Sequence, residues 1–504
     1  MPSDQPAGKP DHRGRVVMLV DNSVNGDSRV QKAAESAADA GWEVILLGRS
    51  PDRQIHRWQL GRAKVQLLPL PRLLHRRPHE LRRVQLRRPL AYPVGPVVGR
   101  RQQWAKARGA DLRTRRAAAG PALGRRAALI PARIRVGVYV RWVALRARQT
   151  YSLARTRKAA TAPIDRFTTA FWQRAMGDRS WRRLDQGLWD YELAFGSTVD
   201  KLKPDLIHAN DFRMIGVGAR AKIRARAAGR DVKLVWDAHE YLPGLRPYED
   251  HPRWLPALCA HEREYGRYAD AVVTVSESLA DLLVDRHGLT ERPTVVLNTP
   301  ELRLPEHTET PDLRALCGVG PHVPLLVYAG SVSEQRGLAT VIEALPFLNG
   351  VHVALVVLNP AAPFVRETVG EAEALGVAGR VHVLPYVPHH QVVGLLAGAD
   401  IGLIPIHHWP NHEIALITKF FEYSHARLPI IVSDVETMSA MVRTTGQGEV
   451  FEARNTPAFV AAVQTVLAEP KRYRDVYEQP GFLDAWSWQA QAEILDEVYA
   501  GLVR

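Results

Sequence analysis

Residues 15–48 read RVVMLVDNSVNGDSRVQKAAESAADAGWEVILLG. The apolar run Arg15 to Asp21 ends in a polar loop, Asn22 to Asp27. Val30, Ala33, Ala34 and Ala37 then recur at helical spacing. Gly41 stands where a helix C-cap glycine is expected. Glu43 to Gly48 is a second apolar run. Strand, helix and strand in that order make a βαβ unit, so this stretch predicts a parallel sheet.

Working outward, the alternation resumes at Trp181 with a helix carrying Leu184, Leu188, Tyr191, Leu193 and Phe195. Strands are expected at Leu206–His208, Val232–Asp237, Ala271–Ser276 and Thr294–Asn298, with helices near 216–228 and 258–268. Residues 299–322, rich in Pro, Glu and Thr and without period, read as a linker. A second alternating unit follows. Its strands are expected at 324–329, 351–358, 381–384, 400–405, 429–433 and 449–451, with helices near 337–348, 389–398 and 418–426. In the last segment, 483–503, Ile494, Leu495, Val498, Tyr499 and Leu502 keep helical spacing. There is no tandem repeat at a 20–50-residue period. The chain reads as two doubly wound α/β domains: 15–298, a linker 299–322, 323–481, and a C-terminal helix 482–504.

The composition agrees with that reading. The chain has 504 residues, 46% hydrophobic and 24% charged, which disfavours global disorder, collagen and a pure coiled coil and favours two cores. Two cysteines, Cys259 and Cys317, allow neither a disulfide framework nor a four-thiolate metal site. No run of 18 apolar residues predicts a transmembrane helix, and the polar N-terminus has no signal-peptide core. A cytoplasmic protein is expected, with attachment to the inner face of a membrane as the variant to test.

Charge is unevenly placed. Between Pro71 and Leu184 stand 27 Arg and 2 Lys against Glu80, Asp111, Asp165 and Asp178, a balance of +25. The whole chain carries +14, so the other 390 residues sum to −11. An insert of about 71–184 with breakers at Pro78, Pro89, Pro93, Pro96, Gly120 and Pro121 thus interrupts the first domain. Such a block suits an anionic membrane surface or a plain solvated face, and nucleic acid less well. On a helical wheel Arg133 to Arg148 does not separate arginine from apolar residues, so no in-plane amphipathic helix emerges. Trp104, Tyr139, Trp142 and Tyr151 suit either a packed core or an interface.

Ligands of open parallel sheets bind beyond the carboxyl ends of the strands. The polar residues there are Asp21, Asn22, Gly26 and Asp27; His208, Asn210 and Asp211; and Asp237, His239 and Glu240. In the second half they are Gly330, Ser331, Glu334, Arg336 and Gly337, then His407 through Lys419, and Glu422. The loop YAGSVSEQRG, 328–337, leads from strand to helix, where glycine admits a close ligand and the helix start favours an anion. It is neither a Walker loop nor a G-x-G-x-x-G fingerprint. Lys419 and Glu422, at i and i+3, share a helix face. The lysine suits a phosphate and the carboxylate a pair of ribose hydroxyls; a surface ion pair is the plain alternative. The histidines of 407–418 have no metal-ligand spacing. In WDAHE, 236–240, His239 sits between acids that could orient it.

Taken in order, NSVNGDSRV, PDLIHAND, VWDAHE, ADAVVTVSESLA, VLNTP, YAGSVSEQRGL, LPYVPHHQVVGLLAGADIGLIPI and KFFEYSHARLPIIVSD resemble the family 4 retaining nucleotide-sugar glycosyltransferases of GT-B fold. The resemblance covers 15–60 and 185–470. It implies an α/β GT-B protein, two Rossmann-like doubly wound domains facing a central cleft, with the basic insert in the N-terminal domain. It implies sugar transfer from a nucleoside diphosphate with retention at the anomeric carbon, of hexosyl or N-acetylhexosaminyl type. A lipid-linked or cell-envelope glycan would be the acceptor, and there would be no cofactor and no metal. No D-x-D stands at a suitable strand end. Arg336 and His239 match the catalytic positions. Gly26, Gly330, Ser331, Arg336, Lys419 and Glu422 match donor-binding positions, and Asp27, Asp211 and Glu240 fall on the acceptor side.

The sequence departs from the family at three places, of which one is the glycine pair near the start, here Asn25-Gly26. The first acid of its E-x7-E signature should stand eight residues before Glu422, where the chain has Ile414, with Glu413 one step away. The basic residue expected after the donor-loop glycine is Ser331. Two other readings stand beside this one. A nucleotide-sugar 2-epimerase of similar fold would use Asp211 or Glu240 over the sugar ring, and a non-catalytic basic binding protein would be built around 71–184.

Overall fold

The computed structural model describes residues 12–71, 74, 88–93, 97–119, 123–159, 163–245, 252–302 and 310–503. Pro78, Pro96, Gly120 and Pro121 lie outside them, as does part of the expected linker. The chain divides into two compact units. The first comprises residues 1–71, 191–245 and 261–504, and holds both sheets.

Eight strands form the first sheet: β1 (Arg15–Leu19), β2 (Glu43–Arg49), β3 (His56–Leu60), β4 (Ala63–Leu68), β5 (Leu206–Asn210), β6 (Lys233–Asp237), β7 (Ala271–Thr274) and β8 (Thr294–Val295). Their order is β3-β4-β2-β1-β5-β6-β7-β8. All neighbours are parallel except β3 with β4. The opening βαβ unit is as expected, with its helix at Ser28–Asp39. The cap falls one residue early, at Ala40, and Gly41 follows it at φ +94°. The β3–β4 hairpin was not expected: β3 alternates half-buried and exposed residues and holds two charged or imidazole side chains, so it lacks the apolar run of a central strand.

Six parallel strands form the second sheet: β9 (Leu325–Ala329), β10 (His352–Val357), β11 (Val381–Pro385), β12 (Ile401–Ile404), β13 (Ile430–Ser433) and β14 (Gly448–Phe451). The order is β11-β10-β9-β12-β13-β14. All six lie where the apolar runs put them. Central strands β9, β10, β12 and β13 are buried on both faces, as parallel strands between helix layers must be. Among the helices of this half not anticipated are three of ten residues or more: Pro363–Ala374, Glu436–Thr445 and Thr456–Ala468.

The last helix, Trp488–Leu502, returns to the first sheet. Its Trp488, Leu495 and Tyr499 join the core of Val16, Met18, Val30, Ala34 and Leu46. Ser487 caps it by accepting from Ala490 N.

The second unit comprises residues 72–190 and 246–260. It is helical, and its longest helices, Val97–Ala118 and Ile130–Ala159, pack against each other. Arg108 lies over the Tyr139 ring at 4.6 Å, and Tyr151 donates to Gln102 Oε1 at 3.1 Å. Tyr139 is therefore packed, whereas Trp104, Trp142 and Tyr151 keep about half their surface exposed.

Candidate active site

The chain after β1 turns through Asn22 to Asp27 before its helix starts. Asn22 Oδ1 accepts from Val24 N at 2.8 Å, and Asn22 Nδ2 donates to Asp27 Oδ2 at 2.7 Å. Asp27 Oδ1 accepts from Val30 N, so this carboxylate caps the helix that it precedes. Val24 is buried at φ +68°, a conformation a β-branched residue holds only when its surroundings force it. Gly26, at φ +85°, has open space around it.

β5 and β6 deliver the other polar residues of this half. Asp211 follows β5 at φ +67° and accepts from its neighbour Phe212 N at 2.8 Å. Burial pushes its carboxyl up to about 7, with Glu240 and Asp21 adding to the rise and His239 and Arg213 opposing it. Asp237 ends β6 and is buried. Arg29, on the first helix, donates to it twice, Nε to Oδ2 at 2.9 Å and Nη2 to Oδ1 at 3.0 Å, and donates again to Val296 O. His208 Nε2 stands 3.5 Å from the same carboxylate, and His208 Nδ1 meets the Tyr499 hydroxyl at 2.6 Å. Burial alone would raise the Asp237 carboxyl; Arg29, His208 and His239 reverse that and hold it well below the usual range.

His239 lies two residues beyond. Its Nδ1 is 3.7 Å from Asp237 Oδ1, an ion-pair distance too long for a hydrogen bond, and has no hydrogen-bond partner. Burial would lower the imidazole, but Asp237 and Asp211 outweigh it and push it up to about 10. The two carboxylates thus favour the charged form of His239. Glu240, next to it, is exposed.

In the second half, β9 runs into Gly330 at φ +133°. A Cβ there would overlap the end of the Lys419 side chain, so the lysine lies directly over the glycine. Ser331 is exposed, and its carbonyl accepts from the Tyr328 hydroxyl at 2.6 Å. Arg336 ends a short 3-10 turn, and Gly337 follows at φ +70° with its α-carbon against the Pro405 carbonyl. Neither Arg336 nor Lys419 makes an ion pair among the described residues. Burial lowers the Lys419 ammonium, against the attraction of Glu422.

Glu422 shares the helix Thr418–His425 with Lys419. It is buried, and its Oε2 has no hydrogen-bond partner. Burial raises its carboxyl, with Lys419 and Lys32 opposing. Lys32 was missed in the sequence. It sits on the buried face of the first helix, donates to the Thr299 carbonyl, and lies 4.7 Å from the Trp488 ring centre. Burial brings its ammonium down to about 8, with Arg29 adding to that and Glu422 opposing. A lysine among alanines reads as solvent-facing; only the fold shows it buried.

Glu413, the neighbour of Ile414, is already engaged. Its Oε1 meets His408 Nδ1 at 2.8 Å, and its Oε2 accepts from Glu436 N at 2.8 Å. The surrounding loop ties the two sheets' loops together: Trp409 Nε1 donates to Gly244 O at 2.7 Å, and Ser276 Oγ to Ile414 O at 2.6 Å. Among the described residues no cluster of His, Cys, Asp and Glu has the makings of a metal site.

Two family models match the chain in succession. "Glycosyltransferase Family 4" matches residues 135–300 and "Glycosyl transferases group 1" matches 319–480. Starch synthase 2 of Arabidopsis thaliana is 24% identical over 194 residues, which cover 36% of this chain and 23% of that protein. The chain thus matches about a quarter of the length of that curated relative. Sucrose-phosphate synthase from Thermosynechococcus elongatus superposes with TM-score 0.61 at 15% identity, covering 97% of this chain and 99% of that one. Anabaena HepE, solved with UDP and glucose, does so with TM-score 0.58 at 13% identity, covering 97% and 100%. One glycosyltransferase model thus matches each half of the chain, and the chain has the two-sheet GT-B architecture of these solved structures.

Proposed function

We propose that the protein transfers a sugar from a nucleoside diphosphate to an acceptor hydroxyl with retention at the anomeric carbon. The observation that carries this reading is Lys419 over Gly330, without an ion-pair partner among the described residues and close enough to Arg336 to feel its charge, on the same helix as the buried, partly unsatisfied carboxylate of Glu422. An unpaired buried charge is costly unless a ligand meets it. A diphosphate fits the cations, and ribose hydroxyls fit Glu422. Solved HepE complexes contain UDP with glucose, and UDP-glucose, which makes a hexosyl or N-acetylhexosaminyl nucleotide the first donor to try.

As the bond to the diphosphate breaks, negative charge grows on the leaving oxygen. Arg336 and Lys419 would stabilise it, as cations that stand at the donor loop before the bond breaks. Ser331 and Gly330 supply the loop backbone, and Gly26 the opposing one. His239, whose charged form Asp237 and Asp211 favour, donates a hydrogen bond to the transferred sugar. Asp211 and Glu240 orient the acceptor. Asp27 is given to its helix cap and contributes by holding the Gly26 loop. Glu413 is held by His408 and Glu436, so the donor grip rests on Glu422 alone among the acids. The acceptor is a lipid-linked or cell-envelope glycan.

A panel of nucleotide sugars screened by thermal unfolding tests the donor site. A donor at 100 times its dissociation constant should stabilise the fold by about 2.7 kcal/mol. Transfer with the best donor, followed by NMR of the anomeric proton, reads the stereochemistry. An inverted product removes retention, and a sugar epimerised without acceptor makes the protein an epimerase. No stabilisation by any nucleotide sugar removes the reading altogether.

A further inference from the structure

We propose that the helix Ile130–Ala159, with the arginine-lined pocket at its start, docks on a bilayer containing anionic phospholipid. The helix has two apolar faces. Val143 and Ala147, buried, belong to the face packed on the helix Val97–Ala118. On the other side Ile130, Ile134, Val138, Trp142 and Leu145 follow at i, i+4, i+8, i+12 and i+15, which a 3.6-residue turn gathers into one stripe. They are 53%, 60%, 62%, 43% and 44% exposed. Two opposed apolar faces explain why no single amphipathic face emerges from the sequence of Arg133 to Arg148. A folded soluble protein seldom leaves five large apolar side chains in one exposed row without something to cover them.

Charge identifies the occupant. Arg133, Arg135, Arg141 and Arg148 flank the stripe, are exposed, and make no ion pair among the described residues. At the stripe's first residue, Ile130, a cavity of about 390 Å³ opens, lined also by Leu112, Leu123 and Leu129 and by Arg113, Arg116, Arg126 and Arg133. From Val97 to Ala159 there are fifteen arginines and one acid, Asp111, which is already paired with Arg115 at 3.0 Å. A second copy laid on this face would oppose arginine to arginine with no carboxylate to relieve it. A nucleic acid would satisfy the arginines and leave the apolar row in water. An anionic bilayer meets both: phosphates take the guanidiniums, and the acyl boundary takes the row, with Trp142 at the interface. No helix among the described residues is long and apolar enough to cross a membrane, so docking would be peripheral.

The test is vesicle flotation of the full chain, independent of any transfer activity. Vesicles of phosphatidylglycerol with phosphatidylcholine are compared with phosphatidylcholine alone. The wild type should float with the anionic vesicles at least tenfold more than with the neutral ones, and less as salt rises. The double variant Ile134→Glu, Val138→Glu, on exposed positions, should lose at least tenfold of that binding. Arg135→Gln, Arg141→Gln should also weaken it. Both should keep the wild-type melting temperature and the same thermal shift with a nucleotide sugar, so a failure here is distinct from a failure of the donor site. The proposal is overturned if the wild type floats equally poorly with both vesicles. It is also overturned if the glutamate variant binds as the wild type does, or if sedimentation velocity shows a dimer that this variant makes monomeric. Displacement of the bound protein by duplex DNA from both wild type and glutamate variant with equal ease overturns it too.

Discussion

Arg29 grips Asp237 with two hydrogen bonds, of 2.9 and 3.0 Å, across the first sheet's interior, with both side chains almost wholly out of water. The pair joins the first helix to the end of β6, two residues before His239. Through His208 it also reaches Tyr499 on the last helix. Removing one partner would leave a buried charge without compensation. Arg29→Met should therefore cost about 3–5 kcal/mol, measured by urea unfolding. Arg29→Lys should recover only part of it, because an ammonium cannot reproduce the two-pronged contact. A loss under 1 kcal/mol in the Met variant would mean that the pair contributes nothing net.

Asp237 makes this a pH-dependent contribution. Its folded carboxyl lies well below the usual value, so the stabilisation is complete above the unfolded pKa of about 4 and disappears as the pH falls through the folded value. Wild type should lose more stability than Asp237→Asn on acidification below about pH 4. Parallel stability curves for the two proteins would contradict it.

His239 carries the opposite sign. Its folded value is raised to about 10, so its contribution is complete below the unfolded value near 6.5 and is lost as the pH rises through about 10. The imidazole proton resonances of His239, assigned by difference with His239→Ala, should keep the shifts of the charged form at pH 8. His239→Ala should reduce turnover strongly and leave nucleotide affinity nearly unchanged, since Arg336, Lys419 and Glu422, proposed to hold the nucleotide, follow strands of the other sheet. Turnover near the wild-type rate would return His239 to a structural role.

The two glycines of the donor loop should respond differently. At Gly330 an alanine meets the flexible end of Lys419, which can move away, so the cost falls on diphosphate binding, with about 1–2 kcal/mol of backbone strain. At Gly337 it meets the fixed carbonyl of Pro405. Gly337→Ala should lower the melting temperature several degrees more than Gly330→Ala, and Gly330→Ala should lose more affinity for a nucleoside diphosphate. Calorimetric titration and thermal unfolding of both read this directly. The reverse ranking would contradict it.

Arg336 and Glu422 should also separate by ligand. Arg336→Ala should weaken a nucleoside diphosphate at least tenfold more than the free nucleoside. Glu422→Ala should weaken both, because ribose is common to them. Equal effects of Arg336→Ala on the two ligands would remove its phosphate role.

Periodicity alone determined most of the fold. The apolar runs of the central strands are long enough to leave no other reading, because a parallel strand covered on both faces must be apolar at every position. Strand ends then marked where polar ligand-facing residues fall, which is why Asp211, His239, Gly330 and Arg336 were legible as candidates. The edge hairpin β3–β4 was not legible, since a half-exposed strand carries too little apolar signal. Neither was the fate of particular side chains. That Asp27 is spent on a helix cap, that Glu413 is held by His408 and the Glu436 amide, and that Lys32 is buried near Glu422 depend on contacts between residues far apart in the chain. The same holds for the basic helix. Its sequence mixes arginine and apolar residues around the whole wheel, and only its packing on Val97–Ala118 decided which apolar residues are core and which face water. Local patterns record what each residue prefers on average, whereas burial of a given charge or side chain is set by which distant segment comes to lie against it.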